Sequence, residues 1–572
     1  MRRVIRRLPA LWRATRLARR WYHARSGAYP DWQPIISADG PIWQAARIAA
    51  AGGPRVLLAS SIGGYAHAVT LESALGAALT FRGADVHVLL CDAALPACAE
   101  CEASMYPNLN RFLAHGPAPD LCRDCRWPAE RVYSTLGFTV HKYSDWITPD
   151  DAAAARETAR TLPSGDIVGY TLDGVGVGEH AHAGALRFFA SGSLDSEPTG
   201  EAVLRRYLEG ALRTAYASRR LMRAVRFESA VFTHGIYVPW GIVGEVARRE
   251  GVRVAAWNVA YRKRRFIFSH DDTYHHTLMT EPHDHLDQRQ LSPSEDAELG
   301  RYLASRRDGL FDWIVFHRPR RTNPAETAQR LGLDPARPVI GLLTNVTWDA
   351  QLHYPANAFP NMVEWLVQTC EYFATRPDLQ LLIRVHPAEM SGFPPSRQPV
   401  LAELRTRIPQ LSPNIVVVPP DSDMSSYTLM SLCNAAIIYG TKMGVELTSV
   451  GVPVIVAGEA WIRNKGLTHD ASTPAEYFDI LERLPFADRL TGPRLARARR
   501  YAYHFFFNRM IPLPFVEPKA GYPIYRLRLR RMDELRPGAS RGLDTICDGI
   551  LHGRPFVLDE HAADTLAKAA GS

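Results

Sequence analysis

The sequence predicts an α/β protein of two domains, each built on a parallel sheet. Three observations carry this. Short apolar runs at 379–385, 415–418, 435–439 and 453–457 lack a helical period, and each is bounded by Gly, Pro or polar residues, as buried parallel strands are. A second set of alternating strand and helix patterns runs from 55 to 92 and again from 230 to 258. At 572 residues the chain is also too long for a single core.

The composition is that of a soluble globular protein, with 46% hydrophobic and 22% charged residues. The formal net charge of +8 is unevenly placed: residues 1–25 hold nine arginines and no Asp or Glu. With Trp12 and several leucines among those arginines, residues 1–27 read as a basic amphipathic leader suited to an anionic membrane surface. They lack the apolar core of a signal peptide or a spanning helix. The other basic residues lie in separate runs, without an RNP-like strand or zinc-finger Cys-His spacing, so no nucleic-acid partner is expected. Nothing in the sequence sets the oligomeric state.

The first domain is expected over 28–335. RVLLAS at 55–60 is a strand, 66–82 a helix and DVHVLLCD a second strand. Gly63 and Gly64, in the turn after the first strand, either let a ligand approach the backbone or serve a tight strand–helix turn. Cys98, Cys101, Cys122 and Cys125 form two CxxC pairs with 20 residues between them, in an expected insertion at 92–130. Four thiolates suit a structural Zn2+ stapling that insertion; an iron–sulfur cluster and two redox pairs are the alternatives. Glu179 and His180, expected in a loop before a helix, are candidate catalytic groups or plain structural residues. A long basic helix is expected over 201–228, and His234 ends the strand that follows it. In an open parallel sheet that end faces the ligand crevice.

After a helical bridge at 296–327, the second domain is expected over 336–493, and the tail 494–572 is expected to be helical and to cross back. Asn345 and Asp349 follow the first strand of this domain, and His386 follows the run 379–385. Gly440, Thr441 and Lys442 follow the run 435–439 and open a short helix over 442–450, with Glu446 just over one turn inside it. Strand ends followed by a helix start suit an anionic ligand. Asp421-Ser422-Asp423 spells DxD but follows two prolines and reads as a helix cap, so no catalytic metal is expected.

The block 381–466 resembles the C-terminal half of bacterial capsule and surface-polysaccharide glycosyltransferases of the GT-B type. The resemblance rests on His386-Pro387, on Gly440-Thr441-Lys442-Met443-Gly444-Val445-Glu446, and on Gly451-Val452-Pro453-Val454. It implies two facing Rossmann-like domains and a nucleotide-sugar donor. It also implies that the histidine and hydroxyl cluster, here His386 and Thr441, contact donor phosphate and that Glu446 binds the ribose. The implied reaction passes a sugar to a glycan or lipid-linked acceptor. The basic leader, and a setting where activated sugars are made and thiols stay reduced, lead to the expectation of a cytoplasmic protein, peripheral on the inner face of the membrane. His180, Glu179 and Asp349 are the candidate bases for an acceptor hydroxyl, and His386 stabilises the leaving group. A polyol-phosphate transferase, a sugar-nucleotide epimerase and a non-catalytic assembly scaffold are the alternatives.

Overall fold

The computed structural model describes residue 18 and residues 28–106, 108–306, 309–313, 323–349, 356–392 and 395–559. The basic leader therefore lies outside the described residues, apart from Ala18, which is helical and exposed. The chain divides into two compact units. The first takes the chain up to Phe189, then Ser193–Tyr274 and the stretch from Arg509 onward; the second takes Ala190–Gly192 and His275–Asn508. The expected division at 335–336 thus differs from the observed one, and residues 275–335 go with the second unit. Helix packing draws them there: Arg499 Nε donates to Asp296 Oδ1 at 2.5 Å, and buried Lys465 donates to the Met279 and Glu281 carbonyls.

The first unit holds strands β1 (Arg55–Ser61), β2 (Asp85–Leu90), β3 (Thr139–Lys142), β4 (Ser229–Thr233), β5 (Arg253–Val259) and β6 (Arg265–His270). β1 to β5 run parallel and β6 antiparallel. From the middle of the sheet β1, β2 and β3 progress one way and β4, β5 and β6 the other, so the strand order reverses between β1 and β4. Crossover helices join the parallel strands. α1 (Ala66–Thr80) is buried on nearly every side, as a helix rich in Ala and Leu must be when packed between layers. Its Gly76 lets Leu58 and Phe138 approach closely. α2 (Pro119–Leu136) joins β2 to β3, so Cys122 and Cys125 sit in a crossover helix and not in a separate insertion. α3 (Val177–Phe189) contains Glu179 and His180, placed in a loop by the sequence reading. α4 (Gly200–Val225) and α5 (Trp240–Arg249) flank β4, as the spacing predicts.

The second unit is a six-stranded, wholly parallel sheet of β7 (Val339–Leu343), β8 (Gln380–Arg384), β9 (Ile415–Val418), β10 (Ala435–Ile438), β11 (Val454–Val456) and β12 (His469–Asp470). The order is β12-β11-β10-β7-β8-β9. Alternation decides which side chains enter the main core: Leu381, Ile383 and Val385 pack with Trp365, Phe373, Ile437, Tyr439 and Tyr477. Arg384 and His386 therefore belong to the opposite face. Three helices matter below: α6 (Pro293–Arg306), α7 (Met362–Ala374) and α8 (Met443–Ser449). α7 supplies Trp365 and Phe373 to the core. α8 sits tight on the sheet at Gly444, where a Cβ would meet Ile438 and Ile462 side chains at 2.7 Å.

From Arg509 the tail rejoins the first unit. β13 (Ile511–Pro512) pairs antiparallel with β6, and α9 (Arg541–His552) packs on α1. The Tyr522 and Tyr525 hydroxyls donate to the Gly64 and His67 carbonyls at 3.0 and 2.6 Å. The FFF run at 505–507 is buried core. Among the described residues no helix is long and apolar enough to cross a membrane.

Candidate functional site

In the second unit the strand order reverses between β7 and β10, and open parallel sheets take ligands beyond the carboxyl ends at such a point. Three neighbouring strand ends meet there. Asn345, two residues past β7, accepts a hydrogen bond on Oδ1 from the Gly440 N–H at 3.4 Å. The His386 N–H, two residues past β8, donates to Thr344 Oγ1 at 3.0 Å. The structure thus brings together Asn345, His386, Gly440, Thr441, Lys442 and Glu446.

The state of His386 follows from its surroundings. The Ala388 N–H donates to its Nδ1 at 3.1 Å, which leaves the ring hydrogen on Nε2. Burial, with help from the Lys442 and Arg384 charges, lowers its pKa to about 4. His386 is therefore a neutral hydrogen-bond donor near neutral pH. Arg384 is itself 2% exposed and donates from NH1 to the Pro419 carbonyl, and burial lowers its pKa to about 10 against the opposing pull of Asp421.

Lys442 and Glu446 are four residues apart at the start of α8, a spacing that lets their side chains meet. Lys442 Nζ donates to Glu446 Oε1 at 3.1 Å. The second carboxylate oxygen is also engaged: Oε2 faces Arg306 Nε at 2.9 Å and accepts from the Tyr427 hydroxyl at 2.7 Å. Arg306 continues the network, meeting Asp312 Oδ2 and the Tyr302 hydroxyl, each at 2.7 Å. Burial pushes the Glu446 carboxyl up, but Arg306 and then Lys442 overcome it and hold its pKa down to about 2. Glu446 is thus an ionised, enclosed counter-ion to Arg306 and Lys442. Sequence reasoning missed Arg306, Tyr427 and Arg384. Arg306 lies in the stretch read as a bridge, and only the alternation of β8 pointed to Arg384.

The remaining expected site residues fall in both units. Asp349 is exposed, on the turn after β7. DxD is not a helix cap: Ser425 caps the helix Ser426–Ser431, and Asp423 meets Arg330 at 3.2 Å. In the first unit, His180 is 3% exposed and both ring nitrogens face acceptors, Nδ1 the Ile236 carbonyl and Nε2 Glu245 Oε1 at 2.8 Å. That arrangement suits a structural tie. Glu179 is half-buried one residue before it. His234 follows β4 with φ +69, a left-handed backbone rare for a non-glycine residue. Burial, Arg187 and His67 lower its pKa to about 4. Gly63 and Gly64 are packed by the protein itself. A Cβ on Gly63 would strike the Cys125 carbonyl, and one on Gly64 would stand 3.0 Å from the Glu100 carboxyl.

The expected zinc staple is not supported by the structure. Among the described residues no group of three or more His, Cys, Asp or Glu is arranged to hold a metal ion. Cys98, Cys122 and Cys125 line one small pocket with Cys91 and Glu100, but Cys101 is not in its lining. Its sulfur instead accepts from the Tyr106 hydroxyl at 3.9 Å, and Cys125 Sγ accepts from the Gly64 N–H at 3.0 Å. Burial pushes the Cys91 thiol up to about 12 and the Cys122 and Cys125 thiols up as well. The 92–105 stretch is held by hydrogen bonds instead: Tyr207 to the Cys98 carbonyl at 3.0 Å, Ala99 N–H to the Val238 carbonyl at 2.9 Å. CxxC spacing supplies four thiols but not their directions.

Residues 321–485 match the family model of capsule polysaccharide biosynthesis proteins. The match covers β7 to β12 and so contains the whole β7/β10 cluster. No curated protein matches the chain. Among solved structures, Thermosulfurimonas dismutans KpsC, beta Kdo 2,4 transferase, is 15% identical over 48% of this chain and 79% of that one, with a TM-score of 0.31. The beta Kdo 2,7 transferase of the same KpsC is 14% identical over 55% and 86%, with a TM-score of 0.29. The Methanocaldococcus jannaschii UDP-GlcNAc 2-epimerase in complex with UDP-GlcNAc and UDP is 9% identical over 78% and 98%, with a TM-score of 0.27.

Proposed function

We propose that this protein is a GT-B type glycosyltransferase of capsule or surface-polysaccharide synthesis, moving a sugar from a nucleotide-sugar donor to a glycan or lipid-linked acceptor. One observation carries the reading: a neutral histidine donor, a hydroxyl and a lysine converge at the β7/β10 strand ends, inside the segment that matches the capsule family.

When the acceptor oxygen attacks the anomeric carbon, the bond from that carbon to the phosphate oxygen breaks and negative charge grows on the leaving nucleotide. Groups already aimed at that charge lower the barrier because they need not reorganise during reaction. The Lys442 ammonium, the His386 Nε2–H and the Thr441 hydroxyl supply them. The acceptor's proton needs a base. We assign it to Asp349, because His180 has both ring nitrogens engaged and Asp349 shares the unit of the donor cluster. The basic leader is proposed to hold the enzyme peripherally on the inner face of the membrane.

Product analysis tests the reading. Free nucleotide appearing only with a glycan acceptor supports transfer. An isomerised nucleotide sugar made without acceptor identifies an epimerase instead, and nucleotide binding without turnover leaves a scaffold.

A further inference from the structure

We propose that Glu446 and Arg306 are positioning residues: their buried ion pair fixes the Lys442 ammonium as the cation that meets the donor phosphate. This rests on reading the β7/β10 switch point as the phosphate site, and it gives Glu446 a role other than ribose binding.

The geometry leads to it in three steps. A lysine on a flexible four-carbon stem points reliably only if its charge is held. Glu446 Oε1 holds it at 3.1 Å, across one turn of α8. The carboxylate must in turn be fixed and compensated, because a lone buried charge is costly. Arg306 Nε at 2.9 Å and the Tyr427 hydroxyl at 2.7 Å do this on Oε2. Arg306, 5% exposed at the end of α6, is anchored by Asp312 and Tyr302. Two carboxylates thus balance two cations within the network, and the Lys442 side chain, 20% exposed, is the least enclosed of the four charges.

The same neighbours set the charge on Lys442. Burial and then Arg306 lower its pKa, while Glu446 and Asp312 oppose them. On the β8 side His386 feels the charges of Lys442 and Arg384. Glu446→Gln and Arg306→Gln are therefore expected to move Lys442 in opposite directions, which loss of packing alone would not do.

The experiment follows amine acylation of Lys442 against pH by peptide mass spectrometry, in the full chain and in both variants. Glu446→Gln is expected to bring labelling in at lower pH and Arg306→Gln at higher pH, each by about one unit or more. Arg306→Lys keeps the charge and is expected to restore the wild-type profile. Inorganic pyrophosphate is expected to protect Lys442 in the wild type. Shifts of the same sign, or unchanged profiles, overturn the inference. If neither Gln variant folds, the wild-type protection and the Arg306→Lys profile decide it: an unprotected Lys442 or a displaced profile sinks it. Because labelling needs no nucleotide, opposite shifts in a protein that binds no nucleotide sugar would defeat the proposed function while leaving the Glu446–Arg306 control of Lys442 standing.

Discussion

The Gly440 N–H donates to Asn345 Oδ1 at 3.4 Å, and this joins the carboxyl ends of β10 and β7 where the strand order of the second sheet reverses. The bond sets the mouth of the proposed donor cluster, since Thr441 and Lys442 follow Gly440 directly. A Cβ on Gly440 would lie 3.1 Å from the Glu459 carbonyl and 3.3 Å from Asn345 Nδ2, so a side chain there forces one of them to move. Gly440→Ala is expected to weaken nucleotide-sugar affinity roughly tenfold, about 1.4 kcal/mol by titration calorimetry. Wild-type affinity would show that the ligand does not use this strand end.

His386 gives a pH signature. Its folded pKa, lowered to about 4 from 6.5, leaves the native state with fewer bound protons than the unfolded chain between those values. Its stabilising contribution is therefore complete above about 6.5 and lost as pH falls toward 4. Affinity for a nucleotide sugar is expected to show no titration of His386 near 6.5, only an acid limb near 4. An imidazole resonance titrating near 6.5 in the free protein and assigned to His386 would contradict this.

Glu446 carries stability as well as position. With its folded pKa held down to about 2 from 4.5, the ion pair contributes fully above about 4.5 and is lost as pH falls toward 2. Glu446→Ala removes the carboxylate that Arg306 and Lys442 share, and it is expected to cost about 3–5 kcal/mol in urea unfolding, as removal of one member of a buried pair does. A cost under about 1 kcal/mol, the range of exposed pairs, would show that the network is solvated.

Asp349→Asn separates binding from chemistry. If this carboxylate takes the acceptor proton, turnover is expected to fall about 10²–10⁴-fold with nucleotide affinity unchanged. Unaltered turnover would move the base to another group, and Glu179 is the next to test.

The sheets were legible because buried parallel strands are written as short apolar runs: those at 379–385, 415–418, 435–439 and 453–457 became β8, β9, β10 and β11. The strand-end residues followed, since a residue one or two past such a run has little choice of position. Side-chain direction was less legible. Glu446 was rightly placed one turn into α8, but its partner Arg306 lies 140 residues earlier, and no local pattern links the two. The thiols were less legible for a related reason. Spacing brought Cys122 and Cys125 onto one helix, and the packing of that helix against Gly63 and Gly64 sets the Cys125 sulfur against the Gly64 N–H. His180 was drawn into α3 because Gly241 leaves room for its ring beside the Ile236 carbonyl, a contact over 50 residues away.

The most direct test of the donor cluster is a calorimetric binding screen of UDP, GDP, ADP, TDP and CMP, each with and without its sugar, on the wild type, Lys442→Ala and His386→Ala. At least one nucleotide class is expected to bind the wild type, with affinity falling tenfold or more in Lys442→Ala, about 1.4 kcal/mol or more. Turnover in His386→Ala is expected to fall further than affinity, because its hydrogen bond strengthens as charge grows on the leaving phosphate. Undiminished affinity and turnover in both variants would contradict the account and place the nucleotide elsewhere.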